Sequence, residues 1–240
     1  MTTKQTYKTG LGTSDADSIT LLGHDLATEI LGKYSFGELS YYLITKRRPT
    51  PGQLVMFEAV LASLADHGFT PTAIAARLTY ASAPDSLQGA LAAGLLGGGS
   101  RFLGVTEDCA HFLARELKEI GDAPTTQDGW DAAALNAVQK QRDIGKFVPG
   151  LGHPVHKQGD PRTPVLMSMA REQGLFGSHL SLFESIGRVH SQVLGKTLPL
   201  NGAGVCGAVL ADAGIPMGVM RGVALLARCA GLLGHLVEEQ

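Results

Sequence analysis

Apolar residues recur at three- and four-residue spacing along most of this chain. Val55–Asp66 (VMFEAVLASLAD) shows the pattern, and Phe112–Ile120 repeats it with charges on the opposite face. Ala, Leu, Gln and Glu dominate these stretches, and alternating β-branched runs are scarce. The starts are marked as well. Ser35 stands three residues before Glu38, a capping-box spacing. Thr50-Pro51 and Thr70-Pro71 each place a capping hydroxyl before a proline at the first helical position. The pattern predicts an all-α protein of about ten or more helices with little or no sheet, and no repeat of fixed period.

The breaks between helices are glycine-rich. Gly89/Ala93 and Gly231/Gly234 fit close helix packing through small residues. The stretch from Phe147 to Arg162, FVPGLGHPVHKQGDPR, does not, because it interleaves Pro and Gly with His153, His156, Lys157, Asp160 and Arg162. That is a loop carrying chemistry. A polar, turn-rich stretch at Gly121–Asp131 lies inside a more polar middle section. The division expected is 1–104 as the first part of a large helical domain, 105–214 as a smaller inserted helical domain, and 215–240 as the large domain's last helix. An insertion of that kind creates a cleft at the junction.

The 240 residues carry a formal net charge of −2, with 18% charged and 44% hydrophobic. That balance gives no support for a nucleic-acid partner and leaves room for a local basic pocket. The mean hydropathy of +0.10 fits a large core or an apolar oligomer interface. Three widely spaced cysteines, Cys109, Cys206 and Cys229, give no disulfide framework, which points to a reducing compartment. Met1–Thr13 is polar and lacks the apolar core of a signal peptide. The runs at Ala90–Leu96 and Gly222–Leu233 fall short of the ~20 apolar residues that span a bilayer. The expected location is the cytoplasm, without membrane association.

Among candidate site residues, His153 is the one whose Gly and Pro neighbours leave an imidazole least to pack against. His67 ends an apolar helix beside Asp66. His153 and His156 are three apart, but Pro154 breaks any helix between them and no third ligand lies at usable spacing, so no metal is expected. Lys157 and Arg162 suit an anion, and Asp160 pairs with one of them. Arg228 interrupts an apolar helix and needs either a buried partner or a ligand carboxylate. Arg77 fits a structural or a binding role. Together these residues suit a polyanionic small molecule.

At these segments the chain resembles the citrate synthase superfamily, including its citryl-CoA lyase branch and the C-terminal module of ATP-citrate lyase. Five ordered elements from about Leu21 to Glu239 carry the likeness. They are the N-terminal helices through PTPGQL, then LADHGFTPTAIAAR with His67 and Arg77, and PGLGHPVHKQGDPR with His153 and Arg162. LPLNGAGVCGAVLADAGIP and ALLARCAGLLGHLVEE, the latter with Arg228, complete the set. Two departures stand out. GSRFLG puts Phe102 where citrate synthases have a catalytic His, as lyase-type relatives do. NGAG puts Ala203 where the family has its catalytic Asp.

The resemblance implies a citrate synthase-like fold of two domains that closes over its ligand. It implies a homodimer and chemistry that makes or breaks a carbon–carbon bond between an acyl-CoA (acetyl-CoA-like) and a 2-oxo acid (oxaloacetate-like). His153 would act as base or carbonyl polariser, and His67 would hold an enolate or carbonyl oxygen. Arg162, Arg228 and Arg77 would bind substrate carboxylates, while Lys157, Gly150 and Gly152 would meet the coenzyme A thioester. The family's further Arg from the partner's C-terminal tail has no counterpart before Gln240, which implies two substrate carboxylates rather than three. Ala203 leaves two alternatives: a non-catalytic paralogue that binds CoA esters, or a CoA thioester hydrolase.

Overall fold

The computed structural model describes residues 9–240. Most of the N-terminal stretch read above as lacking a signal peptide lies outside them. Ten α-helices carry the described fold: α1 (Phe36–Thr45), α2 (Pro51–Leu64), α3 (Pro71–Ser82), α4 (Leu87–Leu96), α5 (Val105–Ile120), α6 (Gln127–Asp143), α7 (Arg162–Glu172), α8 (Ser178–Leu194), α9 (Gly202–Asp212) and α10 (Met220–Val237). The caps do what the sequence pattern predicts. Thr50 accepts from the Gln53 amide while Gln53 bonds back to the Thr50 amide, a complete capping box ahead of Pro51. Ser35 caps α1, but Glu38 turns away to pair with Arg48 at 2.7 Å, so the box there is half made.

The helical pattern conceals a small antiparallel meander, β1 (Gly12–Ser14), β2 (Ile19–Leu21) and β3 (His24–Asp25), followed by a π-helical turn over Leu26–Ile30. Its strands are two or three residues long. It is held partly by a Thr13–Thr20 hydroxyl pair at 2.9 Å, too short a run for alternation to show.

The main core gathers Met56, Phe57 and Val60 from α2, Leu113 from α5, Phe183 and Ile186 from α8, Val205 and Val209 from α9, and Val223 and Ala224 from α10. A second cluster joins Ala73, Ala76, Ala90, Leu232 and Leu236 across α3, α4 and α10. Within the stretch 105–214, α6 packs on α8, and α9 packs on α5, α7 and α8. Helix α2 touches α1, α7, α9 and α10, so its C-terminal end lies where these groups meet.

With the 3₁₀ turn ahead of it, α10 extends over Met217–Val237, 21 residues. By length and composition alone it is enough to cross a bilayer, longer than the interrupted apolar run suggested. It carries Arg221 and Arg228, both bonded within the chain, and packs on α2, α3, α4 and α5. Its close seat depends on Gly231, where a Cβ would overlap the Ala65 carbonyl at the end of α2. That contact brings Arg228, one turn earlier, to the end of α2.

Candidate functional site

Four segments converge on the C-terminal end of α2: the turn holding His67, the loop from 146 to 161, the first turn of α9 and the middle of α10. The loop is tied to α9 by one residue. Asn201 caps α9 by accepting from the Gly204 amide at 2.8 Å, donates Nδ2 to the Gly152 carbonyl at 2.8 Å, and donates its own amide to the Gly150 carbonyl at 2.9 Å. Gly150 and Gly152 both sit at left-handed φ, +85° and +88°. Gly150 is buried against Phe183, Cys109 and Gly204, where a Cβ would collide. It therefore packs the loop onto α9 and does not face a ligand, whereas Gly152 borders open space.

Three imidazoles meet in the cleft. The His67 ring centroid lies 5.4 Å from that of His153 and 5.5 Å from that of His156, and the latter two are 4.5 Å apart. His67 lies in a tight turn between α2 and α3, which Asp66 shapes by accepting from the Gly68 amide at 2.8 Å. The His153 ring caps its own loop, because Nδ1 accepts from the amides of Val155 at 3.1 Å and His156 at 2.9 Å. Two N–H groups aimed at Nδ1 require a lone pair there, so the neutral ring carries its proton on Nε2. Burial, the neighbouring His156 and His67, and Arg162 all push the His153 pKa below its ordinary value, with only Asp160 opposing. His153 is thus a neutral donor, suited to polarise a carbonyl or hold an oxyanion and unsuited to accept a proton through Nε2. One nitrogen from each ring falls within 4.8 Å of the others. A metal would need a lone pair from each, which the His153 tautomer does not offer.

Arg162 and Asp160 form a closed unit. Asp160 is buried and accepts four hydrogen bonds: from the Arg162 amide (3.1 Å), Nε (2.9 Å) and Nη2 (2.7 Å), and from the Gly202 amide at the start of α9 (2.7 Å). Burial opposes charge on Asp160, but the Arg162 guanidinium and the two amides outweigh it and hold the carboxyl well below the usual range. Arg162 gives Nη1 to the Ser63 carbonyl at 3.1 Å. A Cβ on Gly202 would overlap this guanidinium, so the position needs glycine. Arg162 reaches the cleft already neutralised, a reading the sequence pattern had reserved for either it or Lys157.

Arg228 is the opposite case. It is 5% exposed. Its bonds are long ones to neutral oxygens, 3.3 Å to Thr70 Oγ1 and 3.4 Å to the Leu64 carbonyl. Its Nε has no partner among the described residues. Burial pulls its pKa below the ordinary value, offset by the field of Asp66 and reinforced by that of Arg162. The Ser63 and Leu64 carbonyls at the negative end of the α2 dipole thus receive one guanidinium each, and among the described residues only that of Arg162 is paired with a carboxylate.

The remaining candidates separate. Lys157 is exposed and, with Gly152, His153, Phe147 and Thr197, lines a cavity of about 580 Å³. Phe147 is 94% exposed at its rim. Arg77 does not join the histidines. It is held by Glu238 at 2.8 Å, by Glu239, and by His235 at 3.1 Å, and it lies over the Phe69 ring. This network docks the end of the chain onto α3. Phe102 lies half-exposed in the turn between α4 and α5. Ala203 is partly exposed in the first turn of α9, while Asn201, Gly202 and Gly204 around it are buried. His156 and Asn201 were not singled out as site residues by sequence. The only signal for His156 was its spacing from His153, and for Asn201 its place before GAG.

A family model for the citrate synthase C-terminal domain matches residues 13–240. The chain is 30% identical to citryl-CoA lyase from Hydrogenobacter thermophilus, covering 98% of this chain and 87% of that one, with a TM-score of 0.86. It shares its fold with ATP citrate lyase from Methanothrix soehngenii, solved with citrate and coenzyme A: TM-score 0.80, 23% identity, covering 99% of this chain and 39% of that one. It is 26% identical over 212 residues to citrate synthase 2 of Bacillus subtilis (strain 168), covering 86% of this chain. The chain spans about half the length of that relative (52%).

Proposed function

The chain belongs to the citrate synthase family, and from that premise we propose that it is a lyase. It cleaves a 3-hydroxy-3-carboxyacyl-CoA of the citryl-CoA kind into an acyl-CoA and a 2-oxo acid. The observation that carries this reading is Arg228, a buried guanidinium that has no counter-anion among the described residues and is bonded to Leu64 and Thr70, on either side of the turn that holds His67. A buried cation is costly unless paired, and a ligand carboxylate supplies the missing charge. His153 donates Nε2–H to the oxygen that becomes the oxo-acid carbonyl. His67 holds the thioester oxygen as the acyl fragment leaves as an enolate. The cavity beside Gly152, with Lys157 and the exposed ring of Phe147, takes the CoA portion, its phosphates on the ammonium and its base against the aromatic face.

The partner is a second copy of the chain. Helices α3, α4 and α10 pack on one another and expose Ile74, Leu78, Leu87, Leu96, Leu233 and Val237, and only a third of the long C-terminal helix is buried.

The test is to incubate purified protein with citryl-CoA, citramalyl-CoA and related thioesters and to follow release of oxo acid and acyl-CoA. The reading expects both products in equal amounts. Free acid plus CoA would make the protein a hydrolase. Tight binding without products would make it a CoA-ester-binding protein.

A further inference from the structure

His156 has no part in the account so far, yet it completes the cluster. We propose that His156 carries the proton of the cleavage, filling the role that Ala203 leaves without a carboxylate. The inference rests on the lyase reading above. Cleavage needs the hydroxyl proton to be taken and the departing carbon to be protonated.

The carboxylates nearby are committed. Asp160 accepts four hydrogen bonds. Asp66 is bonded to the Gly68 amide and to His235. Asp212, the next carboxylate along the chain after Ala203, lies at the far end of α9, where it accepts the Gly177, His179 and Leu180 amides and pairs with the His179 ring. His153 offers only a donor to the cleft. His156 differs on both counts. Its ring makes no hydrogen bond among the described residues, and it is the ring nearer to His153, at 4.5 Å against 5.4 Å for His67. One nitrogen from each of the three rings lies within 4.8 Å of the others, close enough for one substrate oxygen to meet both His153 and His156, and a neutral imidazole at His156 presents a lone pair.

The step balances within the substrate. His156 takes the 3-hydroxyl proton, and the O–H pair becomes the second carbon–oxygen bond of the oxo acid. The pair of the breaking carbon–carbon bond passes to the acyl-CoA α-carbon and thioester oxygen. The imidazolium then returns the proton to that carbon. The hydroxyl oxygen and the α-carbon are bonded to the same atom, so one ring nitrogen serves both in turn, and no outside acid is consumed.

The experiment compares wild type, His156→Ala and His156→Gln on a cleaved thioester. It expects kcat to fall about 10²- to 10⁴-fold with KM within about threefold. Added imidazole should restore turnover to His156→Ala, at rates that follow the pKa of substituted imidazoles. Ala203→Asp placed on His156→Ala should recover part of the loss. A wild type that cleaves while both variants keep kcat within about threefold overturns this inference alone. So does wild-type activity that chelators abolish and zinc restores, which would make His156 a ligand. A wild type that cleaves no thioester overturns the lyase reading, and this inference with it.

Discussion

Two guanidiniums reach the end of α2, and the chain treats them oppositely. Arg162 is satisfied: Asp160 takes three of its N–H groups, and the pair is stitched to the start of α9 through the Gly202 amide. Arg228 is buried more deeply and has no carboxylate partner among the described residues. A buried ion pair fixes a loop whether or not a ligand is present. A buried unpaired cation stores a cost that only a ligand relieves. The loop side of the cleft is therefore built for position and the α10 side for binding.

The largest effect should come from breaking the closed side. Asp160→Ala leaves Arg162 without its partner and should cost about 3–5 kcal/mol, read by denaturant unfolding. The sign with pH follows from Asp160's depressed folded pKa. Its stabilisation is complete above the unfolded value of 3.8 and is lost only as pH falls through the lower folded value. The gap between wild type and Asp160→Ala should stay constant from neutral pH to about pH 5 and close only in strong acid; a gap that closes near pH 6 would place the charge elsewhere.

Opening the other side should act on function. Arg228→Leu should lower kcat/KM about 10²- to 10³-fold, the scale of losing one partner of a buried charged pair. In the ligand-free protein the same substitution should raise stability by about 1–2 kcal/mol, since a charge without a partner is removed from the interior. A variant that lost stability would show that Arg228 is paired at rest. Between the two sides stands His153. Its lowered pKa predicts that the ring titrates below the ordinary 6.5; an NMR titration of the ring gives the midpoint directly, and a midpoint above 6.5 would contradict the buried, donor-only placement. The smallest effect belongs to Arg77→Ala. Its partner Glu238 is largely exposed, so loss of the network should lower stability only slightly and change kcat/KM less than about twofold.

Much of this contrast was legible in the sequence. Helix starts carry local signals, so Thr50-Pro51 and Thr70-Pro71 could be read directly, and the family's elements pointed to His67, His153, Arg162 and Arg228. What stayed hidden depends on partners far along the chain. Nothing near Arg77 says that Glu238 and Glu239 will claim it. Nothing near Gly150 says that Gly204 will press on it. Asp160 was expected to pair with a neighbouring cation, but its second bond, to Gly202, crosses 42 residues. His156 was weighed only as a metal ligand with His153. Its place in the cleft depends on a turn in which the His153 ring bonds the His156 amide, a contact that spacing alone does not reveal.

The central claim is that Arg228 waits for a ligand carboxylate. Calorimetric titration of wild type and Arg228→Leu with an oxaloacetate-like 2-oxo dicarboxylate, at neutral pH and fixed salt, addresses it most directly. The account predicts saturable binding to wild type and an affinity at least about 100-fold weaker in the variant, about 2.7 kcal/mol. Equal affinity in the two proteins would contradict it.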